Sequence, residues 1–179
     1  GTLGPSSSVS LPGGVVTFLF TDVVGSSAKW DSARSAMESA IRRHDEIFEE
    51  EIESRRGVII KKMGDGLMAV FPDPTDAVRA AVESQRRLRT EPWEDAVHDF
   101  AVRMGIDTGS IRPVNGDYVG PIPNRAARIE AAGHGGQILL STATWELVYD
   151  MPGGEVAFRD RGVHFLRGLA RAERLYQAD

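Results

Sequence analysis

Two aspartates occupy positions that suit cation chemistry. Asp22 closes Val15-Val16-Thr17-Phe18-Leu19-Phe20-Thr21, a run apolar on both faces, and Asp65 sits between glycines in Met63-Gly64-Asp65-Gly66. Carboxylates held on rigid strand ends can converge on hard cations such as Mg²⁺ or Mn²⁺, which prefer oxygen ligands. Each aspartate taken singly has an ordinary alternative, Asp22 as a helix cap and Asp65 as a turn residue. Val24-Gly25-Ser26, directly after Asp22, strengthens the chemical reading. A glycine at a strand-to-helix junction lets backbone N–H groups approach phosphate oxygens, and a helix N-terminus favours negative charge. A metal ligand beside an anion cradle suits a nucleoside triphosphate. The spacing G-x-x-x-x-G-K-[ST] of a Walker loop is absent.

Asn124 and Arg128 form a second constellation. Their i, i+4 spacing puts both on one helix face, with the small Ala126 and Ala127 between them. The ordinary alternative is a surface arginine paired with a carboxylate such as Glu130. Lys61 and Lys62 are adjacent in a strand-like run, so alternation sends them to opposite faces and only one can enter a given site. Glu49, Glu50, Glu51 and Glu53 read as a solvated helix face rather than a metal site.

These residues need rigid supports, and the hydrophobic patterning supplies them. The run Val15–Thr21 predicts a strand buried in the middle of a sheet. Met37, Ile41, His44, Phe48 and Ile52 recur at spacings of three and four, predicting a helix from about Ser35 to Arg55 that stops at Gly57. Val58–Lys62 and Leu67–Phe71 flank the Gly-Asp-Gly turn as a β-hairpin. Pro72-Asp73-Pro74-Thr75 caps a further helix bearing Val78, Ala81, Val82, Gln85 and Leu88. Phe100–Ile106 alternates like a strand, with Ile111–Val114 expected to return beside it. Pro123–Ala132 reads as a helix ending at Gly133. Gln137–Ser141, Glu155–Arg159 and Arg174–Gln177 are weaker strand candidates. This order predicts an α+β sandwich whose helices cover one face of a sheet.

Composition narrows the function classes. The chain has 179 residues, 41% hydrophobic and 26% charged, so it reads as a globular domain with a core of its own. It contains no cysteine, which excludes disulfides, thiolate zinc sites and a cysteine nucleophile. Twenty-one basic against 26 acidic residues leave a net charge of −5, against any bulk electrostatic grip on nucleic acid. No apolar run approaches the ~20 residues of a membrane span, so a cytoplasmic setting is expected. Ten of the first fourteen residues are Gly, Pro or Ser, so 1–14 is expected to be a flexible leader and 15–179 the domain.

Three segments together resemble a known family. Phe18-Leu19-Phe20-Thr21-Asp22-Val23-Val24-Gly25-Ser26-Ser27, Lys61-Lys62-Met63-Gly64-Asp65-Gly66 and Asp117-Tyr118-Val119-Gly120-Pro121-Ile122-Pro123-Asn124-Arg125-Ala126-Ala127-Arg128 resemble class III nucleotide cyclase catalytic domains, particularly bacterial adenylyl cyclases of the mycobacterial kind. The resemblance implies a ferredoxin-like βαββαβ sandwich. It implies conversion of ATP to 3′,5′-cyclic AMP and pyrophosphate with two Mg²⁺ or Mn²⁺ ions per site. On that basis Asp22, Asp65 and the Val23 backbone hold metal. Lys61 and Asp117 recognise adenine, while Asn124 and Arg128 orient the ribose and stabilise the transition state. Arg103 contacts phosphate, as do the backbone groups of Val24, Gly25 and Ser26. Pro123 stands where the family more often has valine, and Arg167 is a weaker phosphate candidate. The resemblance further implies a head-to-tail homodimer with sites at its interface. The alternatives are a guanylyl cyclase and a non-catalytic nucleotide-binding or dimerisation module. A diguanylate cyclase is disfavoured because the Gly-Gly-Asp/Glu-Glu-Phe signature is missing.

Overall fold

The computed structural model describes residues 10–179. The first nine residues of the expected leader lie outside the described residues. Strand β1 (Gly14–Val23) is buried continuously from Val16 to Thr21, as a run without a polar face requires. It lies antiparallel between β3 (Gly66–Phe71) and β4 (Val102–Ile111). With β2 (Val58–Met63), β5 (Ile138–Ser141), β6 (Phe158–His164) and β7 (Glu173–Ala178), they form one seven-stranded sheet of order β2-β3-β1-β4-β5-β7-β6. The β4–β5 pair is parallel and its other neighbours are antiparallel. The first four strands carry the expected βαββαβ connectivity, and the α+β sandwich is the fold.

Helices occur on both faces, where one covered face was expected. Leu19, Phe71, Met104 and Ile106 pack with α2 (Arg34–Glu53), α3 (Pro74–Thr90) and α5 (Thr142–Val148). Val16, Phe18, Phe20, Met68 and Val70 pack instead with Ala126 of α4 (Pro121–Ala131). The reason is already in β1: both alternating sets of its side chains are apolar, so each face needs a cover. Gly105 makes the α4 contact possible, because a Cβ there would lie 2.3 Å from the Glu130 backbone nitrogen.

Two further segments differ from expectation. A seven-residue helix α1 (Ser26–Ser32) precedes α2 and is separated from it at Ala33, whose φ of −147° breaks the helix. Ile111 ends β4 instead of starting a returning strand. Pro113 has no N–H to give a ladder, and Asn115 and Gly116, with φ of 51° and 74°, turn the chain back so that Val114 bridges Asp117. Leu11 to Gly14 of the expected leader also join the fold. Gly14 opens β1, and Leu11 packs against the cluster under α4.

Candidate active site

Strand register sets the turn that carries Asp65 beside the end of β1 that carries Asp22. Thr21 pairs with Leu67 across β1–β3, which sets the β2–β3 turn against the end of β1. Gly66 is required at that approach, since a Cβ would stand 2.1 Å from the Thr21 carbonyl oxygen. The turn is fixed from the side as well. Trp30 of α1 donates its indole N–H to both Asp65 oxygens, at 3.1 and 3.0 Å, and the Leu67 amide donates to Thr21 Oγ1 at 3.2 Å. Trp30 carries no signal of this role in the sequence beyond being a partly buried indole that needs an acceptor.

Asp22 has a partner across the other edge of β1. It sits opposite Arg103 in the β1–β4 register, and Arg103 Nη2 donates to Asp22 Oδ2 at 2.5 Å. Arg103 was expected to contact phosphate, and here it is held by Asp22 and faces Glu130, with Nε 4.0 Å from Oε1. Glu130 is buried, not the surface partner of Arg128. Loss of solvation pushes its carboxyl up to about 7, with Arg103 pulling it down and Asp22 pushing it further up. Glu130 Oε1 and Arg103 Nε are both buried without a hydrogen-bond partner.

The expected phosphate cradle is partly occupied by the fold itself. The Val24 amide donates to the Ala101 carbonyl at 2.9 Å, which removes it from the available donors. Gly25, with φ of 63°, precedes α1, and no side chain caps that helix start.

Lys61 and Lys62 separate as alternation requires. Lys61 is opposite Met68, on the α4 face, and its Nζ is 3.0 Å from Asp117 Oδ2. Lys62 is opposite Leu67 on the other face and reaches Asp45 and Glu49 of α2 at 3.2 and 3.4 Å. Part of the acidic run is therefore engaged rather than merely solvated, since Glu50 and Glu51 also pair with Arg87. The second oxygen of Asp117 accepts the Tyr118 amide at 2.8 Å. Lys61 first, then that amide, hold the Asp117 carboxyl below the usual range.

Lys61, Asp117 and Asn124 line one open cavity of about 670 Å³, whose apolar walls include Phe20, Met68 and Leu169. An apolar slot with a few convergent polar groups is what a planar heterocycle needs. Arg128, one turn further along α4, does not line it. It opens on a neighbouring cavity of about 380 Å³ beside Phe165 and Arg167, and a Cβ on Gly168 would lie 3.8 Å from its guanidinium.

The donor set at the strand ends fits hard divalent cations. Among the described residues no three carboxylate or imidazole side chains converge. Mg²⁺ does not need three: one or two carboxylates, retained waters and substrate phosphate oxygens complete its shell. Asp22, exposed over 41% of its side chain, and Asp65 are the carboxylates that stand at this end of the sheet.

A family model for the adenylate and guanylate cyclase catalytic domain matches residues 10–177, and the chain belongs to that family. An uncharacterized protein of Mycobacterium tuberculosis is 34% identical over 93% of this chain and 56% of its own length. The adenylate cyclase of Lachancea kluyveri is 30% identical over 75% of this chain but only 9% of its own. The chain thus spans little more than half of the former and a small part of the latter. A solved adenylate cyclase structure from Trypanosoma brucei superposes with a TM-score of 0.85 at 26% identity, covering 98% of this chain and 94% of the other. No helix among the described residues is long and apolar enough to cross a membrane.

Proposed function

We propose that this domain is an adenylyl cyclase, converting ATP to 3′,5′-cyclic AMP and pyrophosphate. The observation that carries the reading is the Lys61–Asp117 pair, 3.0 Å apart in the cavity that Asn124 also lines. Adenine offers an acceptor at N1 and a donor at N6, which complement a lysine donor and a carboxylate acceptor. Guanine would set its carbonyl against the Asp117 carboxylate and leave polar groups unpaired beneath the bound base, a discriminating arrangement.

The chain's residues then divide the work. Asp22, Asp65 and the Val23 backbone would hold two divalent cations. Bound there, such ions make the ribose 3′-hydroxyl more acidic and neutralise charge on the departing pyrophosphate. Gly25 and Ser26 present the start of α1 to phosphate oxygens. Asn124 holds the ribose for in-line attack on the α-phosphorus, and Arg128 stabilises charge on the α-phosphoryl oxygens. Arg103 must leave Asp22 before it can contact phosphate. No side chain stands as general base, so water or substrate takes the hydroxyl proton.

The working unit is a head-to-tail homodimer. Its support here is that exposed apolar side chains rim both the cavity of Lys61, Asp117 and Asn124 and the neighbouring cavity of Arg128. Val119 beside the first and Phe165 beside the second are 82% and 88% exposed. The test is turnover of ATP and of GTP with Mg²⁺ or Mn²⁺. Cyclic AMP from ATP is expected, lost in folded Asp22→Ala and Asp65→Ala variants. Equal turnover of GTP, or a folded aspartate variant with near-normal activity, overturns the reading.

A further inference from the structure

We propose that the segment Leu11–Gly13 is a strap that sets the position of Asp117, with Tyr118 as the positioning residue between them. The inference rests on the reading of Lys61 and Asp117 as the base-recognition pair. Asp117 lies in the irregular stretch 112–120 that joins β4 to α4, and within it Tyr118 is the single buried residue. Val119 on one side is 82% exposed, so the loop is anchored through that one side chain. The tyrosine ring meets Phe18 edge-on, with centroids 4.9 Å apart. Its hydroxyl donates to the Pro12 carbonyl at 2.5 Å, a contact between residues 106 positions apart.

The strap is seated at three consecutive residues. Leu11 packs into the cluster that contains Tyr118. Pro12 accepts the tyrosine hydroxyl, and a Cβ on Gly13 would lie 3.5 Å from Pro113 Cδ at the start of the same loop. From Gly14 onward the chain is locked to β4 by the Gly14↔Ile111 register. The other end of the linkage is Asp117 itself. Its Oδ1 accepts the Tyr118 amide at 2.8 Å, leaving Oδ2 for Lys61 at 3.0 Å. A phenylalanine would fill the same volume, so packing alone does not call for the hydroxyl. A buried hydroxyl without a partner is costly, and here the partner is supplied from outside the sheet. A displacement of the chain ahead of β1 therefore reaches the base-recognition carboxylate through Tyr118 and one peptide unit.

Three variants of the 179-residue chain, Tyr118→Phe, Leu11→Ser and their double, test the strap against Lys61→Ala. Hydrogen exchange reads the loop directly: the Val114, Asp117 and Tyr118 amides, which are hydrogen-bonded within it, should exchange faster in both single variants. Exchange unchanged in both overturns the strap whatever the substrate proves to be. In turnover, each single variant should raise the KM for ATP roughly 3- to 10-fold, the worth of one hydrogen bond, with kcat little changed. Inhibition by inorganic triphosphate, which has no base, should not move. The double variant should be no worse than the poorer single one, because both remove the same linkage. Additive losses, or equal weakening of triphosphate and ATP, overturn the proposal in favour of a merely structural role. Lys61→Ala should weaken ATP while leaving loop exchange intact. If it leaves ATP unaffected, the adenine reading falls, and the exchange result still decides the strap.

Discussion

Glu130→Gln should reshape the pH dependence of stability. Glu130 is 7% exposed, and burial, with the Asp22 charge, pushes its carboxyl from 4.5 up to about 7 against the pull of Arg103. Between those values the native state keeps a proton that the unfolded chain has released. The associated stability is therefore fully present below pH 4.5 and is lost as pH rises through 7. At about 1.4 kcal/mol per pH unit, the native state gives up about 3–4 kcal/mol across this window. Glutamine has a similar shape and no proton to lose. The unfolding free energy of Glu130→Gln minus that of the parent should thus grow by about 2–3 kcal/mol from pH 5 to pH 8. Urea unfolding at a series of pH values, with chelator present, measures that difference. For a domain of this size it corresponds to several degrees in Tm. A difference that stays constant over the range would show that Glu130 is ionised in the fold, and that the burial argument is wrong.

Three other outcomes follow from the same geometry. Lys61→Ala should lose preference for ATP over GTP while Lys62→Ala keeps it, because only Lys61 faces Asp117; the reverse result in competition assays would mean the strand faces are misassigned. Inactive Asp22→Ala mixed with inactive Arg128→Ala should regain activity as heterodimers form: with Asp22 and Asp65 supplied to each site by one protomer and Lys61, Asp117, Asn124 and Arg128 by the other, one interface site carries both lesions and the other neither. A mixture that stays dead with heterodimers present rules out the shared site. Gly66→Ala should cost roughly 1–3 kcal/mol or more and weaken Mn²⁺ binding measured by electron paramagnetic resonance, because its Cβ meets the Thr21 carbonyl; a variant as stable as the parent would remove Gly66 from the site's construction.

Much of the site's chemistry was legible in residue order because it depends on local periodicity. A period of two separates Lys61 from Lys62. An apolar run ending at Asp22 marks a strand terminus, and Gly64 and Gly66 mark a tight turn at Asp65. Those features decide what each residue offers and which face of its own element it takes. Which element covers that face is decided elsewhere. The sequence predicted one helix-bearing face although β1 is apolar on both, and α4 took the second because Gly105 admits its backbone.

The partners of the functional groups are the part that only tertiary structure could assign. Arg103 lies 81 residues from Asp22 and meets it through the β1–β4 register. Trp30 reaches Asp65 across 35 residues, and Tyr118 finds Pro12 across 106. Glu130, two residues from Arg128, reads locally as its surface partner, yet the packing of α4 buries it against β4 and turns it to Arg103. Residue types and spacing determined the inventory of donors, acceptors and charges. Strand register and helix docking decided which of them meet, because such contacts join segments that no local repeat connects.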